Sequence, residues 1–173
     1  MSFNMTASNT LPSTTKAKDL HLRAARQEDT DAIVRLVNDS FHPERFFIDG
    51  ERTNPDHIGE LMTKGTFLLA EDDGGLVGCV YIEPRGVRWY LGLLSVEPGR
   101  QRSGLGAFLM AAAEDHSRAA GATVIDLQIV NLRTELPGFY RRFGYEETGT
   151  APLPAQMQVK QPCHFIQMSK KLG

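Results

Sequence analysis

Cysteine is scarce in this chain, and that alone excludes several classes. Cys79 and Cys163 are too few for a disulfide framework and stand at no zinc-ligand spacing. A reducing, cytoplasmic compartment is the expectation, with no metal. Long apolar runs are also missing. Nothing approaches the roughly 20 residues that span a bilayer. Charge is nearly balanced, at −2 over 173 residues, so neither nucleic acid nor an anionic membrane is an expected partner. Residues 1–18 are rich in Ser, Thr and Asn and lack the charged start and apolar core of a signal peptide. They read as a disordered extension ahead of one globular domain over 19–173. With 41% hydrophobic and 23% charged residues, that domain can bury a substantial core.

Two nucleotide signatures are absent as well. No Gly-Lys-Ser/Thr opens a helix, so there is no P-loop. Gly104 and Gly106 are followed by Leu109 where a Rossmann fingerprint needs its third glycine. The segment 97–103 is also too long for the tight Rossmann turn, and Asp126 sits inside an apolar strand pattern, away from where a ribose would bind.

What is present is an apolar strand, a basic glycine-rich turn and an apolar helix. Residues 91–110 read LGLLSVEPGRQRSGLGAFLM. Gly104 and Gly106 remove side chains from the turn, so backbone N–H groups can approach an anion. The helix that follows aims its unpaired N–H groups and positive dipole end at the same point. Arg100 and Arg102 add charge, and Gln101 adds amide donors. A diphosphate suits this arrangement.

Periodicity sets the surrounding elements. A first strand is expected at His21–Ala24 and a helix at 28–41, with Ile33, Leu36, Val37 and Phe41 on one face and Asp29 or Thr30 as N-cap. A second helix starts at Pro55 and runs to Lys64. Strands at 66–71 and 76–83 flank the hairpin turn Asp72-Asp73-Gly74-Gly75. Pro84-Arg85-Gly86 turns into a strand at 87–96. A long helix at 104–120 points Leu105, Phe108, Leu109 and Ala112 inward and ends at Gly121. An apolar strand at 123–130 reads as central, followed by a helix at 134–143 and strands at 145–149 and 163–170. The result is an α/β (mixed α+β) fold. A mixed sheet of about seven strands is flanked by about four helices, in the order β-α-α-β-β-β-α-β-α-β-β.

The run Gln101-Arg102-Ser103-Gly104-Leu105-Gly106, after a strand ending Ser95-Val96-Glu97-Pro98, resembles the pyrophosphate loop of the GNAT superfamily of acyl-CoA-dependent N-acetyltransferases. Phe139-Tyr140-Arg141-Arg142-Phe143-Gly144-Tyr145 is similar to the family's late helix and the strand start after it. The resemblance runs from about residue 20 to 172, in the family's order of elements. It implies acetyl-CoA as cosubstrate, and strands at 87–96 and 123–130 that run parallel and splay apart to admit the acyl-pantetheine arm. It implies that the backbone of Leu94, Ser95 and Val96 faces that arm and that residues 101–107, through Gln101, Arg102, Ser103, Gly104, Leu105, Gly106 and Ala107, hold the diphosphate. Asn131 matches the family's asparagine beside the arm. Tyr140 matches a tyrosine near the sulfur, where a phenol can donate a proton to a leaving thiolate. The interval from Asn131 to Tyr140, filled by Arg133-Thr134-Glu135-Leu136, is longer than in ribosomal-protein N-terminal acetyltransferases and argues against that subgroup.

The proton acceptor stays open. Glu83 ends a strand near the expected cleft and could act directly or through water; a charged turn residue before Pro84 is the competing reading. Substrate choice is assigned to 41–53, where Phe46, Phe47 and Arg52 are the candidate contacts and Arg52 could hold a carboxylate. Trp89 and Tyr90 read as sheet packing. The implied activity is acetyl transfer to a primary amine of a small molecule or peptide, directly in a ternary complex, by a monomer or homodimer. A non-catalytic acyl-CoA sensor on the same fold is the alternative.

Overall fold

The computed structural model describes residues 20–173, so the expected extension lies outside the described residues. The chain runs β1 (His21–Ala24), α1 (Thr30–Ser40), α2 (Pro55–Lys64), β2 (Thr66–Asp72), β3 (Gly75–Arg85), β4 (Arg88–Val96), α3 (Leu105–Ala119), β5 (Val124–Val130), α4 (Leu136–Arg141), β6 (Glu146–Pro152) and β7 (His164–Lys171). This is the expected order. No helix among the described residues is long and apolar enough to cross a membrane.

Local chemistry explains most boundaries. Asn54 accepts the His57 N–H at 2.9 Å and Pro55 follows, so α2 starts there. Gly121 takes φ 98° after α3, and the Ala122 N–H returns to the Ser117 carbonyl at 2.9 Å. The cap expected for α1 is different. The Asp29 carboxylate accepts the Arg26 N–H at 2.7 Å and so closes the short 3-10 turn before α1, while also pairing with Arg23. Pro84 does not turn the chain. It stays in β3 opposite Trp89, and the reversal falls on Gly86, at φ 73°. Helix α4 is shorter than expected, because 131–135 are spent on turns in which Arg133 N–H meets the Val130 carbonyl and Leu136 N–H meets that of Arg133.

The sheet has the order β1-β2-β3-β4-β5-β7-β6. Every pairing is antiparallel except β4 with β5. One face carries α1 and α2 over Phe67, Leu69, Cys79 and Tyr81. The other carries α3 and α4 over a larger core that includes Leu91, Ile125, Leu127 and Met168. The buried stripe of α3 is Leu105, Leu109, Met110 and Ala113, continued by Glu114 and Ser117. Phe108 and Ala112, expected inward, are only half-buried. The stripe is rotated because two polar residues satisfy themselves inside. Glu114 accepts Lys170 Nζ at 2.9 Å and the Tyr145 hydroxyl at 3.2 Å, and the Ser117 hydroxyl donates to the Ala113 carbonyl at 2.7 Å.

Leu109 is fully buried at the centre of the larger core. Leu109→Ala should destabilise the fold by about 2–5 kcal/mol. Urea unfolding followed by the fluorescence of Trp89, the single tryptophan, measures it.

Candidate functional site

The parallel pair β4–β5 is short. Arg88, Trp89 and Tyr90 sit beside Val124, Ile125 and Asp126, and the pairing ends there. Beyond it, β5 keeps to β7 through to Val130 and β4 keeps to β3, so a gap opens between them. A bulge drives the separation. Cys79 faces Ser95 and Tyr81 faces Gly92, which leaves Leu93 and Leu94 opposite Val80 alone. Leu93 takes φ 49°, a strained value for leucine. The extra residue changes which face each side chain meets. Trp89 and Leu91 join the α3 core before it, and Leu94 and Val96 join that core after it. Tyr90 and Leu93 face α1 and α2. Gly92 leaves room for Tyr90, since a Cβ there would lie 2.8 Å from that ring.

The three β4 candidates differ. Ser95 is fully buried and its hydroxyl donates to the Leu93 carbonyl at 3.0 Å, so its side chain turns away from any ligand. The Val96 N–H donates to Ser40 Oγ at 3.3 Å, a contact with the last residue of α1 that the sequence reading did not anticipate. Leu94 is half-buried.

The loop from β4 to α3 ends with two left-handed residues, Arg102 at φ 66° and Gly104 at φ 85°. The first α3 bond joins the Phe108 N–H to the Gly104 carbonyl at 3.0 Å, so the N–H groups of 104–107 have no helical partner. A Cβ on Gly104 would meet nothing within 4 Å, so space above this helix end is open. At Gly106 a Cβ would sit 3.4 Å from Phe139, so this glycine also lets α4 approach α3. Gln101, Arg102 and Ser103 are exposed, as is Ala107, whereas the Leu105 side chain is buried in the core. Arg100 corrects the idea that the basic residues serve only a ligand. It is paired with Asp72 and, at 3.5 Å, with Glu97, which ties the loop to the β2–β3 hairpin. The Ser103 hydroxyl donates to the Arg100 carbonyl and tightens the turn.

Tyr140 of α4 is 7% exposed and stacks edge-on to Phe139 and Tyr145. Its hydroxyl makes no hydrogen bond to the described residues. No side-chain polar atom among them is both buried and unpartnered, so this hydroxyl opens to solvent-accessible space. Burial pushes its pKa up, against the pull of Arg133, with Tyr90 and Glu44 adding to the rise. The phenol is therefore a proton donor at neutral pH. Asn131 lies at the end of β5, where its Oδ1 accepts the His164 N–H at 2.9 Å. That bond clamps β7 to β5 and leaves the amide NH₂ for other partners.

The 41–53 segment forms a shallow pocket against α1, lined by Phe41, Glu44, Ile48 and Arg52 among others. Arg52 lies 5.4 Å from the Phe41 ring centre and has no ion pair among the described residues. Phe46 is 65% exposed, while Phe47 is fully buried against Ile48 and Val130. Phe47 is thus a root of the segment and not a surface contact. Glu83 does not fit a direct proton acceptor. Its carboxylate receives the Tyr81 hydroxyl at 2.8 Å and Arg85 Nε. Burial would raise its pKa, but these hydrogen bonds outweigh it and hold the carboxyl below its ordinary value.

Two charged residues were missed. Glu44 is 5% exposed, and Arg133 Nη1 donates to its Oε2 at 3.3 Å. Burial raises the Glu44 pKa, against Arg133 and Arg52. Tyr90, read as packing, lies within the electrostatic reach of Arg52, Glu83 and Tyr140. An acidic residue in a polar segment carries no sign of burial. Arg133 stood in the insertion already noted, which was the available signal.

The structure thus brings together the free N–H groups at the head of α3, a gap between two parallel strands, and a phenol with a pocket beyond it. A family model described as an acetyltransferase (GNAT) domain matches residues 63–147. The chain is 25% identical over 142 residues to an IAA acetyltransferase of Azospirillum brasilense, covering 76% of this chain and 91% of that one. It is 33% identical over 132 residues to a mycothiol acetyltransferase of Sanguibacter keddieii, covering 67% of this chain but only 40% of that longer protein. The fold is similar to yncA of Salmonella typhimurium, a putative acetyltransferase solved with its cofactor acetyl-CoA. The TM-score is 0.69 at 18% identity, over 90% of this chain and 95% of that one.

Proposed function

Because this chain belongs to the GNAT superfamily and is an acetyltransferase, we propose that it moves an acetyl group from acetyl-CoA to a primary amine of a small molecule or peptide, directly within a ternary complex. The observation that carries this reading is the slot between β4 and β5, which ends beside the unpartnered N–H groups of α3. The residues present fit the cosubstrate. The head of α3 offers donors and a dipole to a diphosphate, and the space over Gly104 is open. Arg102, exposed and unpaired among the described residues, adds charge there. An extended arm in the slot finds backbone groups of β4 that no strand of the sheet pairs.

Bound acetyl-CoA supplies an acyl carbon activated as a thioester. The work of this chain is then positioning and proton handling. Backbone N–H groups near Leu94 and Val96 face the slot and serve the carbonyl oxygen as charge grows on it. The Val96 N–H keeps its place through Ser40 until a stronger acceptor arrives. Tyr140, held protonated by burial, gives a proton to the departing sulfur. The Asn131 amide NH₂ steadies the arm while its carbonyl holds β7. Arg52 and exposed Phe46 border the acceptor's entry, with Arg52 suited to a carboxylate on that acceptor.

Tyr140→Phe keeps the packing and removes the donor. It should lower kcat by about 100-fold while the acetyl-CoA Kd changes less than about twofold. Thiol release across a panel of amino acids, polyamines, aminoglycosides and short peptides reads the first, and calorimetry the second. Gly104→Asp places a carboxylate in the open space over the head of α3, on a backbone at φ 85° that strains any side chain, and there it repels an anion. Calorimetry should show acetyl-CoA binding weakened at least about tenfold. Unchanged affinity would remove the diphosphate from this loop.

A further inference from the structure

Glu44 is the one buried carboxylate on the wall of the acceptor pocket. It sits in the 3-10 turn 42–46 that follows α1, and its neighbours Phe41 and Ile48 form an apolar surround. Its single hydrogen bond is long, 3.3 Å from Arg133 Nη1, while Arg133 Nε serves Glu135 at 2.7 Å. One carboxylate oxygen is therefore left without a protein donor among the described residues. Arg133 lies three residues beyond the end of β5, so the pair stands toward the open end of the slot, within the electrostatic reach of Tyr140. Glu83, by contrast, has both oxygens engaged. We propose that the Glu44 carboxylate seats the acceptor's ammonium and takes its proton before attack. This inference rests on the acetyl-transfer reading above.

The step balances. One N–H proton passes to Glu44, leaving a lone pair on nitrogen. That lone pair forms the N–C bond to the thioester carbonyl carbon, and the C–S bond breaks with its electrons on sulfur. Sulfur takes a proton from the Tyr140 hydroxyl. The second proton lost by nitrogen restores Tyr140, and Glu44 releases its own to solvent. The groups facing Glu44 set when it can act. Arg133 and Glu135 come from the β5–α4 connection, Arg52 from the pocket rim, Tyr140 from α4 and Cys163 from the approach to β7. Burial outweighs the two arginines and raises the Glu44 carboxyl, which suits it to hold a proton.

Glu44→Gln separates this role from a structural one. Glutamine still accepts the Arg133 hydrogen bond but cannot take a proton. We expect kcat/KM for the amine to fall about 100-fold at neutral pH, with acetyl-CoA affinity within about twofold of wild type. The acid limb of the wild-type profile, which reports ionisation of Glu44, should vanish. The variant's rate should instead climb roughly tenfold per pH unit toward the amine's own pKa, as free amine becomes available. Glu44→Asp should recover part of the loss. A glutamine variant that works within about threefold of wild type with the same pH profile overturns the proposal. So does one that loses acetyl-CoA binding together with activity. If wild type itself binds acetyl-CoA but acetylates no amine in the panel, the acetyl-transfer reading fails first and takes this inference with it. The wild-type arm thus distinguishes the two failures.

Discussion

The site depends on one interrupted interaction, the parallel pairing of β4 with β5. Two strands in the interior of a sheet ordinarily satisfy each other's N–H and C=O groups along their length, and breaking that ladder leaves costly unpaired edges. Here the break is built in. The bulge at Leu93 and Leu94 bends β4, and β7 holds β5 from Val124 to Val130. The strained Leu93 is tolerated because its side chain is buried against α1 and α2. Unpaired edges of this kind are satisfied when something extended fills the gap, which is the role proposed above for the cosubstrate arm.

A split sheet must still behave as one body, and α3 supplies the bridge. Its buried stripe lies against β2, β3 and β4 on one side of the gap. Glu114 adds a polar anchor, receiving Lys170 of β7 and Tyr145 ahead of β6. Removing one partner of such a buried pair leaves an uncompensated charge, so the link resists separation. The head of the same helix points at the anion seat. The element that holds the two halves together is therefore the one that orients the donors, and Arg100 with Asp72 fixes the approaching loop to the β2–β3 hairpin.

Much of this was legible before any coordinates. The order of elements along the chain and the buried face of α1 follow from periodicity, whereas the α3 face is rotated from the expected one. The turn before α3 follows from two glycines between a strand and a helix, because only a few backbone shapes fit that spacing. What the sequence hides is tertiary. Leu93-Leu94-Ser95 reads as an ordinary strand, since a bulge depends on the partner's register. Arg100 reads as a free cation until Asp72, distant in sequence, is folded onto it. Phe46 and Phe47 are adjacent aromatics, yet one is exposed and the other is rooted in the core. Periodicity fails in a short 3-10 turn, so neither burial nor partners could be assigned there.

The same limit applied to Glu44, whose position in the proposed reaction separates acceptor handling from cosubstrate anchoring. Cosubstrate anchoring rests on β4, the loop and the head of α3. The acceptor end is assembled from the turn after α1, the connection after β5 and the buried face of α4. Arg133, on the connection after β5, bonds Glu44 of the turn after α1, and Tyr140 lies within its electrostatic reach. The residues that lengthen the 131–140 interval thus belong to the proposed acceptor end. In the proposed reaction, the choice of amine then depends on 41–53 and 131–136, apart from the slot that holds the cosubstrate arm.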